Sequence, residues 1–121
     1  MKVTQCIVNL NSGDPDKLGA FYRDVIGLEG TPDIGPNAFN AGGTTFLIDG
    51  HSEVSGTNND APRVLINFFV DDLNAEQSRL ESAGVEFIRK AGKEEWGGVI
   101  STFVDPDGNY GQLIEFSPPG S

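Results

Sequence analysis

Few side chains in this chain of 121 residues can do covalent or metal chemistry. His51 is the single histidine and follows Asp49-Gly50 in an expected loop, where an imidazole reads as a solvated surface group. Cys6 is the single cysteine. Without a second thiol it closes no internal disulfide and builds no structural zinc site. No histidine is positioned by the sequence to activate Cys6 or a serine as a nucleophile. The adjacent carboxylates Asp71-Asp72 and Glu94-Glu95 read as a helix start and a loop, and no glycine-rich loop carries the lysine pattern of a phosphate site. What remains is recognition chemistry. Trp96, the single tryptophan, sits between Glu94-Glu95 and Gly97-Gly98. An indole beside carboxylates can stack on a flat heteroaromatic ring while the acids attract positive charge. The competing role for Trp96 is packing, at a dimer contact or over the core.

Composition narrows the partners. Eight Lys plus Arg stand against 18 Asp plus Glu, a net charge of −10, which disfavours nucleic acid and anionic membrane surfaces because both are held by neutralising cations. Cationic small molecules remain compatible. Apolar residues make up 37% without counting the 16 glycines, enough for a globular core, and the length fits a single domain, 1–121. No apolar run is long enough to span a bilayer, and the first residues lack a signal-peptide pattern. A soluble, cytoplasmic protein is expected.

The elements that must position these residues follow from periodicity. Val3 to Leu10 is mostly apolar and β-branched and reads as a half-buried strand. Asp14 caps a helix with Pro15 at its first position, and Leu18, Phe21, Tyr22, Val25 and Ile26 recur at helical spacing before Gly27. Short strands are expected at Ala38 to Asn40 and Thr44 to Ile48. A second series begins with a strand at Val64 to Val70. Asn74 with Gln77 then resembles a capping box, and Leu80 and Ala83 lie on the apolar side of a helix ending at Gly84. Strands follow at Val85 to Ile88, Val99 to Val104 and Gly111 to Phe116, the last two joined through Asp105-Pro106-Asp107-Gly108-Asn109. Strand, helix, then three strands occurs twice. Gly27-Leu28-Glu29 and Gly84-Val85-Glu86 match at an offset of about 57 residues, which points to an internal duplication with modules at about 1–60 and about 61–121.

Asp14 to Leu28, Val70-Asp71-Asp72-Leu73, Ala83-Gly84-Val85-Glu86-Phe87 and Asp105 to Asn109 together resemble the vicinal oxygen chelate superfamily. That group includes glyoxalase I, extradiol dioxygenases, fosfomycin-resistance enzymes and bleomycin-resistance proteins, and in size and site this chain is closest to the last. The resemblance covers nearly the whole chain, but its motifs are caps, core positions and a turn, which build a scaffold without setting an activity. It implies an α+β fold in which two β-α-β-β-β modules form an open, cupped mixed sheet with the ligand on its concave face, and a homodimer.

Many members hold a divalent metal with side chains from the first and last strands of each module. Strand alternation puts Cys6, Val8 and Leu10 toward the helix and Gln5, Ile7 and Asn9 toward the cup. In the second module Ile66, Phe68 and Val70 face inward and Leu65, Asn67 and Phe69 face the cup. By resemblance Gln5 and Leu65 occupy the first-strand ligand positions, Gln112 occupies the acidic one after the Asp-Gly turn, and the fourth falls within Thr45 to Asp49. Glu115 points to the other face. Leucine cannot ligate, and neutral amides suit a hard divalent ion poorly, so no metal and no cofactor are expected. A metal site would have to use Gln5, His51 and Gln112.

The expected ligand set is Gln5, Ile7, Asn9, Phe39, Leu65, Asn67, Phe69, Trp96, Phe103 and Gln112, apolar walls with a few amides. The sequence therefore reads as a metal-free binding protein of the bleomycin-resistance-like type, holding a cationic or aromatic, antibiotic-like molecule without catalysing a reaction. The alternative is a metal-dependent glyoxalase-like lyase or isomerase, or a dioxygenase.

Overall fold

The computed structural model describes residues 1–116. The chain divides into two compact units, with the boundary between Gly56 and Thr57. In the first, β1 (Ile7–Ser12), α1 (Pro15–Ala20), β2 (Glu29–Gly30), β3 (Ala38–Ala41) and β4 (Thr44–Gly50) build a mixed sheet of strand order β1-β4-β3-β2. In the second, β5 (Leu65–Phe69), α2 (Leu73–Ser82), β6 (Phe87–Lys93), β7 (Gly98–Val104) and β8 (Tyr110–Phe116) repeat that plan as β5-β8-β7-β6. The fold is α+β, with two open four-stranded sheets and the expected strand-helix-strand-strand-strand order in each unit. No helix among the described residues is long and apolar enough to cross a membrane.

The first helix starts as its residues dictate. The Asp14 carboxylate accepts the Lys17 N–H, and Pro15 takes a first-turn position where no amide donor is needed. Past Ala20 the helix widens over Phe21–Ile26, where the Gly27 N–H reaches back to the Tyr22 carbonyl, a π-type bond. This turn seats Tyr22 in the core, fully buried and edge-on to Phe46 with ring centroids 4.9 Å apart. Phe39 and Phe46 pair across β3 and β4 and are buried with it.

The first strand departs from expectation. It begins at Ile7, and Gln5 and Cys6 precede it, both exposed. The register explains why. Ile7 pairs with Thr45, so a longer strand would put Gln5 opposite Gly43, which lies in the β3–β4 turn and gives its N–H to Asn40 Oδ1. Cys6 therefore does not pack beneath the helix.

The start of α2 is also corrected. Asp72, not Asn74, is the cap, its carboxylate accepting the Ala75 N–H at 3.1 Å. Glu115 Oε1 takes the Leu73 N–H at 2.9 Å, so two of the otherwise unpaired first-turn donors are satisfied. Gln77 serves elsewhere: it donates to Glu81 and accepts the Ala91 N–H of β6. Leu73 and Leu80 bury the helix's apolar side, while Ala83 is exposed at its end.

Candidate functional site

The face of each sheet turned away from its helix can be read from register. In the second unit Glu115 bonds the start of α2, so odd-numbered β8 residues face the helix and even-numbered ones face away. Pairing across β5, β8 and β7 then sets side chains in rows. Leu65, Tyr110 and Val104 form one row, Asn67, Gln112 and Thr102 the next, and Phe69, Ile114 and Ile100 the third. Beyond them Phe116 pairs with Gly98. One polar row is thus bounded by apolar rows on both sides.

Aromatic surface gathers at one end of this face. Phe69 is 68% exposed, Trp96 50% and Phe116 47%, unusually high for large rings. Trp96 stacks on Phe116 with centroids 5.8 Å apart and planes 29° from parallel. Its ring reaches that position by crossing the backbone of Gly98, where an added Cβ would lie 2.0 Å from the indole. The turn beneath is fixed by the Glu94 N–H bonding the Gly98 carbonyl and the Gly97 N–H bonding the Glu94 carbonyl. Of the two acids beside Trp96, Glu94 pairs with Arg89, which cancels much of its charge, whereas Glu95 is exposed.

The polar row has a defined orientation. Gln112 Nε2 donates to Thr102 Oγ1 at 3.0 Å across the β7–β8 pair. Thr102 is buried and Gln112 half-buried, while Asn67 on the opposite flank is exposed.

The corresponding face of the first unit is plainer. Ile7 and Asn9, both exposed, pair with Thr45 and Leu47, and Ala38 and Asn40 continue those rows on β3. No aromatic ring lies on them.

Of the expected ligand-contacting residues, Ile7 and Asn9 share one face in the first unit, and Leu65, Asn67, Phe69 and Gln112 share one in the second, with Trp96 at its end. Gln5 lies outside β1. Phe39 and Phe103 face their helices and are fully buried. Phe103 pairs with Gly111, an odd-numbered β8 residue, and its ring covers that glycine so closely that a Cβ there would lie 2.2 Å away. Phe68 and Phe87 close around it. Both Phe39 and Phe103 are core residues, with no surface to offer a ligand. Thr102, Tyr110, Ile100, Ile114 and Phe116 belong to the face and escaped sequence reasoning. Counting outward from the Asp105–Asn109 turn pairs Val104 with Tyr110 and would have found them.

The donor set does not fit a divalent metal. Leu65, at the position that the resemblance gives to a ligand, opens the β5–β8 ladder, whereas Gln5, the position given in the first unit, precedes β1 and is exposed. Gln112 brings a neutral amide oxygen, its Nε2 donating to Thr102 Oγ1, where a hard divalent ion calls for anionic oxygen or imidazole. His51 lies in the loop after β4 with Nδ1 accepting the Glu53 N–H at 3.0 Å. Among the described residues no three His, Cys, Asp or Glu side chains gather closely enough to hold a metal ion.

Comparison with known proteins gives the scaffold a context. Residues 5–113 match the family model described as the Glyoxalase/Bleomycin resistance protein/Dioxygenase superfamily. No curated protein matches the chain. Among solved structures, the chain resembles a lactoylglutathione lyase from Agrobacterium tumefaciens at 23% identity and a TM-score of 0.73, over 100% of both chains. It is similar to a glyoxalase/bleomycin resistance protein/dioxygenase family enzyme from Burkholderia phytofirmans PsJN at 20% identity and a TM-score of 0.74, covering 92% of this chain and 97% of that one. An integron cassette protein from V. Cholerae shares 21% identity and a TM-score of 0.72, over 97% of this chain and 98% of its own. At such identities the likeness concerns the fold and leaves activity open.

Proposed function

The chain belongs to the glyoxalase/bleomycin resistance protein/dioxygenase superfamily, and from that premise we propose that it is a metal-free binding protein for a small, flat, aromatic molecule. The observation that carries this reading is the exposed aromatic end of the second unit's sheet, where Trp96 stacks on Phe116 and Phe69 stands clear of the core. Rings exposed on a sheet face gain by covering one another or a ligand, because apolar area leaves water and offset stacking adds to it. The net charge of −10 favours a cationic ligand over an anionic one and disfavours phosphate backbones and anionic membranes as partners. Sequestration of an antibiotic-like aromatic cation by a cytoplasmic homodimer is the physiological form of this reading.

A divalent-metal mechanism lacks donors. A hard ion needs several anionic oxygens or imidazoles, and the ligand positions inferred from the resemblance carry Leu65 and the amide Gln112.

Elemental analysis of the purified protein, after separate dialysis against zinc, nickel, manganese and ferrous salts, tests the metal-free part. The expected result is metal well below one atom per chain in every case. Retention of one atom per chain would overturn the reading and direct attention to lyase and dioxygenase substrates.

A further inference from the structure

The Thr102–Gln112 bond sets the polarity of the ligand face. A carboxamide is planar, with its donor nitrogen and its acceptor oxygen on two separate arms of the terminal carbon. Gln112 commits Nε2 to Thr102 Oγ1 on the β7 flank. That bond does not use the amide oxygen, which belongs to the row that Asn67 shares on β5. Gln112 thus presents an acceptor to a molecule lying on this face. Thr102, buried beside it, is the residue that holds it so.

The next row carries Phe69, Ile114 and Ile100, two residues along each strand from the amides. Two residues of strand span roughly 7 Å, about the distance from the middle of a fused aromatic ring, by way of a nitrogen on a one-carbon arm, to the acceptor that takes that nitrogen's hydrogen bond. From this geometry we infer that the second unit's face selects a flat aromatic ring bearing a nitrogen donor, with the ring against Phe69 and the Trp96–Phe116 stack and the N–H on Gln112 Oε1. This rests on the aromatic-binding reading above and specifies its ligand class as an aryl-methylammonium or a comparable N–H donor. Gln112 makes the contact, and Thr102 is a positioning residue.

The test is a calorimetric titration in EDTA with three probes of one shape: 2-naphthylmethylammonium, 2-methylnaphthalene and 2-naphthoate. The wild-type protein is expected to prefer the ammonium over methylnaphthalene by about tenfold, the size of one charge-assisted hydrogen bond. Gln112→Glu keeps the shape and turns the acceptor into an anion, so it tightens the ammonium severalfold and leaves methylnaphthalene unchanged. Gln112→Leu abolishes the preference. Thr102→Val frees the amide to turn over, which narrows the gap between ammonium and naphthoate while methylnaphthalene binds as before. A loss of packing would weaken all three probes together.

Methylnaphthalene and the ammonium binding equally well, or a preference indifferent to both Gln112 variants, overturns this inference and leaves the aromatic-binding reading standing. Failure of all three probes to bind the wild-type protein overturns both.

Discussion

The two units share a strand order and differ in where they put their rings. In the first, Tyr22, Phe39 and Phe46 all go into the core, and the sheet face turned from the helix carries Ile7, Asn9, Thr45, Leu47, Ala38 and Asn40. In the second, Phe103 fills the core with Phe68 and Phe87 around it, yet Phe69, Trp96 and Phe116 stand at the surface of the opposite face. A repeated scaffold with one plain face and one aromatic face separates two tasks. Buried rings are distributed over both units, whereas exposed rings are concentrated in one, where the proposed function puts aromatic recognition.

Truncating rings of the two kinds tests that separation most strongly. Phe103→Ala removes a fully buried ring from a core closed on the Gly111 backbone, and the expected loss is about 3–5 kcal/mol of unfolding free energy in denaturant titrations. Phe69→Ala, two-thirds exposed at the start, is expected to change stability by less than about 0.5 kcal/mol. Equal losses at the two positions would erase the distinction between core ring and exposed ring.

Gly98→Ala comes next. The new Cβ would meet the indole of Trp96, which must leave its place on Phe116 or push β7 outward. A destabilisation of about 1–3 kcal/mol is expected, with a shift in the emission of the single tryptophan. An unchanged emission spectrum would mean that Trp96 does not lie across Gly98 in solution.

Helix caps sharpen the comparison from the structural side, because both units use an aspartate in the same way. Asp14→Ala and Asp72→Ala are each expected to cost about 1 kcal/mol. Asn74→Ala is expected to cost little. A larger effect at Asn74 than at Asp72 would restore the capping box that the sequence suggested.

The smallest effect belongs to pH. Hydrogen bonds from Gln77 and Lys90, with the Lys90 charge, hold the Glu81 carboxyl below the usual carboxylate range against a weaker opposing effect of desolvation. A lowered folded-state value means that stability is present above the ordinary glutamate range and is lost as pH falls through the depressed value. Glu81→Gln should therefore flatten the acid limb of the stability profile slightly, leaving neutral-pH stability nearly unchanged because the pair is solvated.

Much of this arrangement was legible in the sequence, and the failures have physical causes. Alternation alone placed Leu65, Asn67 and Phe69 together because β5 is regular from end to end. The helix over Pro15 to Ile26 followed from Asp14, Pro15 and Gly27, although its π-type second half left no periodic mark. Gln5 was expected within the first strand and precedes it because strand length depends on the partner: β4 begins at Thr44, and nothing in Val3 to Leu10 reveals that limit. Phe39 and Phe103 failed because the facing of a residue in a hairpin depends on turn length. For Phe103 that information was present in Asp105 to Asn109, since Val104 and Tyr110 close the turn. The polarity of Gln112 was not legible, because it depends on a cross-strand neighbour, Thr102, ten residues away in sequence.

The central claim, aromatic recognition by the second unit without a metal, is tested most directly by titrating 2-naphthylmethylammonium in EDTA into the wild-type protein and a Phe69→Ala, Trp96→Ala double variant. The account predicts binding that persists in the chelator and weakens by roughly tenfold or more in the double variant, as expected when stacked rings are removed. Binding that appears only when a divalent metal is restored, or that is unchanged in the double variant, would contradict it.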